Sequence, residues 1–167
     1  RYTFLARTAA ATGCHVIATG HTRDDHAETV LLALIRGAGA AGLGGIRPVT
    51  GKIVRPLLEA SRDDVLRYLT LHGLNYRVDE TNADQAYLRN RVRLSLLPML
   101  EAGFNPAIRA TVARSGHLLQ DEDSLLAGLA GEFYDRIAVR AEPGVLTLER
   151  AGMSTVHVAL ARRVLRL

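Results

Sequence analysis

Apolar and polar positions along the first eighty residues alternate between two periods. In the opening segment Phe4, Leu5, Thr8 and Ala9 fall at helical spacing, with Gly13 as a stop. This reads as the back half of a helix, so something is expected to precede Arg1. "HVIATG" is a short β-branched run bounded by Gly13 and Gly20, suited to a buried parallel strand. Thr22 then offers an N-cap with Asp25 at the capping-box position, and Ala27, Val30, Leu31 and Leu34 repeat as one helical face. "GAGAAGLGG", Gly37 to Gly45, reads as a mobile or ligand-approaching loop. A strand in "KIVRPLL", a helix capped by Ser61 and closing at Gly73, and a strand in "NYRVDE" follow. Helix, strand, helix, strand, helix, strand is the alternation of an α/β domain with a largely parallel sheet.

Beyond Thr81 the period becomes mostly helical. Leu88, Val92 and Leu96 share a face, and Pro98, which has no N–H to donate, is expected to end or kink that helix. Asn105 and Pro106 form a strong helix start, and the helix after them carries Ile108, Val112, Leu118, Leu119, Leu125, Leu126 and Leu129, with a kink expected at Gly116. "GVLTLE" suggests a small strand and Val158 to Leu167 a last helix. Turn-forming residues cluster between about Asp79 and Leu88, which divides the chain into regions 1–80 and 81–167.

Composition narrows the classes. No window approaches a membrane-spanning apolar run and Arg1 to Ala10 is unlike a signal peptide, so the chain reads as cytosolic, without a membrane partner. The lone Cys14 excludes an internal disulfide framework and a paired-thiolate zinc site within this chain. A net charge of +4, carried by arginine with Lys52 the only lysine, suits an anionic partner such as nucleotide or nucleic acid.

Three clusters carry candidate chemistry. "GAGAAG" matches G-x-G-x-x-G, yet it follows a helix where the dinucleotide fingerprint must follow a strand, so a Rossmann cofactor site is rejected. The corner "GHTRDDHAE" places His21, Asp24 and Asp25 beyond the carboxyl end of a strand, where α/β ligands bind. Asp25 and Glu28, three apart, share a helix face, and their carboxylates can converge on a divalent cation or an ammonium group. Complementing the helix dipole is the plainer role for Asp24 and Asp25. A zinc site of His21, Asp25 and His26 is disfavoured, because His26 lies about 100° around the helix from Asp25. In "YLRNRVR", Arg89 and Arg93 project together, Arg91 points to the other side and Asn90 lies between. Two like charges a turn apart call for an anionic partner, either a ligand or acids such as Asp79, Glu80 or Asp84.

Taken in order, "ATGHTRDDHAETVLLALIRGAGAAGLGGIRPV", "IVRPLL", "RDDVLRYLTLHGLNYRVDETNAD" and "YLRNRVRLSLLPML" resemble the tRNA-isoleucine lysidine synthetases of the N-type ATP pyrophosphatase (PP-loop) superfamily. The resemblance covers most of residues 1–129. It implies a parallel-sheet, adenine nucleotide alpha hydrolase-like (Rossmann-like) domain followed by a smaller, mostly helical domain. It also implies a ligase that uses ATP and Mg2+ to adenylate the wobble cytidine of tRNA(Ile) with a CAU anticodon, after which the amine of free L-lysine displaces AMP. Asp25 would serve the ATP–magnesium and lysine side, with Mg2+ as its candidate metal, and Glu28 would receive the lysine ammonium. His21 and Arg36 would face ATP phosphate, Arg36 alternatively tRNA, while Arg89, Asn90 and Arg93 match R-N-x-x-R and would hold substrate and phosphate charge. The family's S-G-G-x-D-S pyrophosphate loop is absent from this chain. The chain is therefore expected to be a fragment that does not catalyse the full reaction alone. Competing readings are a PP-loop tRNA thiolase, disfavoured by the unpaired Cys14, and a non-catalytic RNA-binding module. The sequence leaves a homodimer open.

Overall fold

The computed structural model describes residues 2–77, 84–142 and 145–166. They fall into two compact units, residues 1–120 and 121–167. The division expected between about Asp79 and Leu88 lies inside the first unit, and residues 78–83 are outside the described set.

The first unit opens with α1 (Tyr2–Ala11), which turns off at Gly13 with φ +70. β1 (Ile17–Ala18) leads into α2 (Arg23–Ile35). Thr22 and Asp25 form the expected reciprocal box: the Thr22 side chain accepts from the Asp25 amide, and the Asp25 carboxylate accepts from the Thr22 amide at 2.9 Å. β2 (Val49–Thr50) pairs antiparallel with β3 (Ile53–Val54), and β3 pairs parallel with β1, giving the order β1-β3-β2. The expectation of a largely parallel sheet is thus met by one strand pair, and the antiparallel β2 was not foreseen. α4 (Arg62–Leu71) begins at a second capping box, Ser61 with Asp64, and ends before Gly73 at φ +61. The Ser61 hydroxyl holds the Asp64 carboxyl below its ordinary pKa. Of the strand expected in "NYRVDE", Asn75 to Arg77 adopt no regular structure and the rest lies outside the described residues.

The glycine-rich stretch is more ordered than its composition suggested. It contains a helical turn, α3 (Ala40–Leu43), and its last glycines are packed. Gly45 has φ +64 and sits where a Cβ would come within 2.8 Å of Val30 and 2.9 Å of His26. Glycine is needed there for both conformation and space.

α5 (Leu88–Arg91) continues as a π-helical turn (Val92–Leu96) and then α6 (Leu97–Gly103), with Pro98 in its first turn. Pro98 cannot donate to the carbonyl four residues back, and the widened turn ahead of it accommodates that loss: the Leu97 amide reaches the Val92 carbonyl, one residue further than in an α-helix. Leu31 and Leu32 of α2 pack with Val92 and Leu97, flanked by Leu88, Leu96, Ile108 and Val112. Each fully buried aliphatic side chain there contributes about 1.5–3 kcal/mol. The expected Leu34 is exposed instead, because Leu32 takes the inward position.

α7 (Ile108–Ile137) follows Asn105, whose side chain accepts from the Ala107 amide at 2.9 Å, and its helical pattern is unbroken at Gly116. Leu118, Leu125 and Leu129, expected as its core face, are exposed. Apart from Ile137 at its end, the buried positions are Ala113, Gly116, Gln120, Asp123 and Ala130, small or hydrogen-bonding residues that hydrophobic spacing does not pick out. In the second unit a hairpin of β4 (Ala138–Glu142) and β5 (Val145–Leu148) precedes α8 (Arg150–Thr155) and α9 (Val158–Val164). Ala130, Ile137 and Val164 form its core with Phe133, Leu148 and Met153. β5 and α9 match the expected strand and helix, while β4 and α8 carried no clear signal. Among the described residues no helix is long and apolar enough to cross a membrane.

Candidate functional site

The capping box fixes the first turn of α2 and thereby aims its acids. One oxygen of Asp25 accepts from the Thr22 amide and hydroxyl at 2.9 and 3.0 Å. Its other oxygen accepts from Nη2 of Arg93 at 3.0 Å and from Nη2 of Arg89 at 3.2 Å. Glu28, one turn on, accepts from Arg93 Nε at 2.5 Å and Nη2 at 3.0 Å, and from Arg89 Nε at 3.0 Å. The acidic corner and the basic cluster are therefore one site: two carboxylates and two guanidiniums closed into a square across α2, α5 and the π turn. Asp25 and Glu28 do converge on cations, as their spacing implied, and those cations are this chain's own arginines. Asp84 pairs with neither; its carbonyl accepts from the Asn90 amide group at 2.7 Å.

Burial sets the energetics of this square. The Glu28 side chain is 1% exposed, Arg93 20% and Arg89 42%. A charge as deeply placed as Glu28 is tolerated only when paired and hydrogen-bonded, which the fork of Arg93 supplies. The hydrogen bond from Glu28 in turn holds the Arg93 guanidinium above its ordinary pKa, so it stays charged. Arg89 stands on α5 and Arg93 in the π turn that follows it directly.

Asp24, next to Asp25, has a different task. It accepts from the Arg62 amide at 2.7 Å and from Arg109 at 3.2 Å, tying α2 to the starts of α4 and α7. Burial alone would lower the Arg109 pKa, but Glu101 and Asp24 raise it. His26 turns into the core. Its Nδ1 accepts from the Ile46 amide at 3.0 Å, and Nε2, which must then carry the proton, donates to the Ala113 carbonyl at 3.1 Å. Burial, then the nearby His117, pushes its pKa below 6.5. The zinc alternative fails on this geometry, because both His26 nitrogens serve backbone groups; among the described residues no group of three metal-ligating side chains converges. Nor does Asp25 fit the magnesium role expected of it: both oxygens are already hydrogen-bonded, one of them to two guanidiniums.

A cleft of about 350 Å³ opens beside the square, lined by His21, Thr29, Ile46, Arg47, Arg55 and Arg89 among others. His21 thus joins the site, with Nδ1 3.0 Å from the Thr19 hydroxyl. Its wall is braced from behind, since Gln120 donates from Nε2 to the carbonyls of Gly44 and Ile46, the latter at 2.9 Å, while His26 holds the Ile46 amide. Two expected residues are elsewhere. Arg36 is exposed at the far end of α2, eleven residues or roughly 16 Å from Asp25. Asn90 is buried, fastening the turn before α5. Arg47, Arg55 and Gln120 were missed. The available signal was the pair of Arg-Pro steps, "IRPV" and "VRPL", because proline holds the preceding residue extended and so aims its side chain.

A nucleotide-type α/β corner with an arginine-lined cleft defines the class, and the chain belongs to the PP-loop domain family, whose model matches residues 1–100. Over its whole length the chain is 44% identical to a tRNA(Ile)-lysidine synthase of Symbiobacterium thermophilum, covering 36% of that protein. It is 39% identical over 99% of its length to one of Gloeobacter violaceus, covering 51%, and 40% identical over 99% to one of Solibacter usitatus, covering 38%. The chain thus spans between about a third and a half of these relatives. Among solved structures, a U34-tRNA thiolase of Methanococcus maripaludis with its [4Fe-4S] cluster is similar with TM-score 0.51 and 25% identity, over 71% of this chain and 41% of that one. This likeness supports the PP-loop, adenine nucleotide alpha hydrolase-like fold.

Proposed function

We propose that the chain is the portion of a tRNA(Ile)-lysidine synthase that binds the adenylate and lysine, acting on the wobble cytidine with ATP. The observation that carries this reading is the square of Asp25, Glu28, Arg89 and Arg93 at the edge of a basic cleft, in a chain so similar to lysidine synthases. Adenylation places negative charge on a phosphate, and a guanidinium brought against it stabilises that charge. Arg89 is the more exposed of the two arginines and also lines the cleft, so it is the one suited to that task. When Arg89 swings to phosphate, its position on Glu28 falls vacant, and the ammonium of lysine takes it. One cation replaces another, so the buried carboxylate is never left unpaired. Arg93 stays as the fixed support. His21 contributes a further donor to the phosphate side. Magnesium, in this reading, arrives with the ATP phosphates and is not held by Asp25. Arg36, on the far end of α2, and the basic balance of the chain suit contact with tRNA phosphates.

Lysine incorporation into tRNA(Ile) transcripts, measured with the complete gene product, tests the assignment. Glu28→Gln is expected to raise the KM for lysine well above its effect on ATP–pyrophosphate exchange. Equal loss of both activities contradicts the role given to Glu28. The structural likeness to a thiolase gives the second reading, but sulfur transfer on a cluster or cysteine pair needs more thiols than the single, exposed Cys14 of this chain.

A further inference from the structure

The cleft is lined by two arginines with no part in the square, Arg47 and Arg55, each preceding a proline. The turn between β2 and β3 fixes their relation. The Arg55 amide donates to the Pro48 carbonyl at 2.9 Å, and Arg55 Nη1 donates to the Arg47 carbonyl at 2.6 Å and the Thr50 hydroxyl at 3.1 Å. One edge of the Arg55 guanidinium is thereby pinned by neutral acceptors. Its Nε is buried and has no acceptor among the described residues. A charged donor left unbonded is costly, so Arg55 gains a partner when an acceptor enters the cleft it lines.

The cleft lining identifies the acceptor. It presents Arg47, Arg55, Arg89 and His21 and, among the described residues, no carboxylate. Asp25 and Glu28 answer the charge of Arg89, while Arg55 makes its bonds to neutral oxygens. A planar carboxylate, with two oxygens, satisfies one guanidinium fork; donors arriving from several elements suit a tetrahedral group with three or four oxygens. We propose that Arg47 and Arg55 form a phosphate seat in the cleft that Arg89 also lines, which takes a phosphate of a nucleotide or of a polynucleotide. The seat rests on the reading above only in its nearness to the adenylating chemistry.

The test titrates the chain with AMP and, separately, with a short single-stranded cytidine-containing oligoribonucleotide, each at two salt concentrations. Arg55→Met and Arg47→Met are each expected to weaken at least one probe about tenfold and to reduce its salt dependence by roughly one phosphate contact. Arg91→Met, on the other side of α5, is expected to leave both unchanged. Loss for AMP alone assigns the seat to a nucleotide phosphate, and loss for the oligoribonucleotide alone to a backbone phosphate. The proposal is overturned if both variants, with parental circular dichroism and melting, bind both probes as the parent does, or if Arg91→Met weakens them equally. Should Arg55→Met unfold, Arg47→Met decides, read on the same two probes with circular dichroism and melting as the control for folding. Failure of the complete gene product to form lysidine, with AMP or RNA binding still dependent on Arg47 and Arg55, would reject the ligase reading and leave the seat standing.

Discussion

Arg93 grips Glu28 through two parallel bonds, Nε to Oε1 at 2.5 Å and Nη2 to Oε2 at 3.0 Å, across sixty-five residues of sequence. The carboxylate is buried, so its stability depends on that fork and on Arg89.

Removing Arg93 therefore leaves a buried charge short of its main partner. Arg93→Met is expected to cost about 3–5 kcal/mol. Glu28→Gln in the same chain should recover part of that loss, because no buried charge then lacks its partner. Urea unfolding of the single and double variants measures the coupling, and simple additivity would show that Glu28 does not depend on Arg93.

Two glycines of one helix should respond oppositely to the same methyl group. At Gly116 a Cβ would lie 2.7 Å from His26 Nε2 and 2.8 Å from Val30, whereas at Gly131 it meets nothing within 4 Å. Gly116→Ala is expected to destabilise by about 1–3 kcal/mol through overpacking. Gly131→Ala should stabilise by roughly 0.5–1 kcal/mol through helix propensity. Melting temperatures of the two variants decide, and a stabilised Gly116→Ala would contradict the close packing of His26 against α7.

Protonation of His26 removes the acceptor for the Ile46 amide. Burial and the neighbouring His117 lower its folded pKa below 6.5, while the Ala113 carbonyl and then Glu59 act the other way. The unfolded chain thus binds the proton more readily, and stability must rise with pH up to about 6.5 and fall as acid is added below it. Unfolding free energies between pH 7.5 and 5 should show this slope, and His26→Gln should flatten it. An unchanged slope in that variant would assign the acid sensitivity to other groups.

Gln120 is the brace behind the cleft. Gln120→Leu strands the Gly44 and Ile46 carbonyls and is expected to cost about 1–3 kcal/mol. It should also weaken AMP binding, since Ile46 and Arg47 form part of the cleft wall, and Gln120→Glu, lacking the donor, should not rescue it. Calorimetric titration of both variants gives the answer.

Local chemistry carried much of this in plain sight. The Thr22–Asp25 capping box, the Ser61 cap, the stops at Gly13 and Gly73, the disturbance around Pro98 and the common face of Asp25 and Glu28 all depend on residues within five positions of one another, and spacing alone reveals such relations. The core face of α7 was misjudged for the converse reason. Ile108, Val112, Leu119 and Leu126 are half-buried, but Leu118 is exposed because the surface facing that part of the helix is His26 and the Gly44–Ile46 backbone, which demand small or donor residues.

By itself, then, the sequence determined the elements around the acidic corner, the pairing of Arg89 with Arg93 on one side of their helix, and the family to which the chain belongs. Tertiary structure decided which cation meets which anion. Coulombic and hydrogen-bonding partners are chosen by distance in space, and only the folding of α5 and its π turn against α2 brings Arg93 to Glu28, just as only the β2–β3 turn brings Arg55 to Arg47.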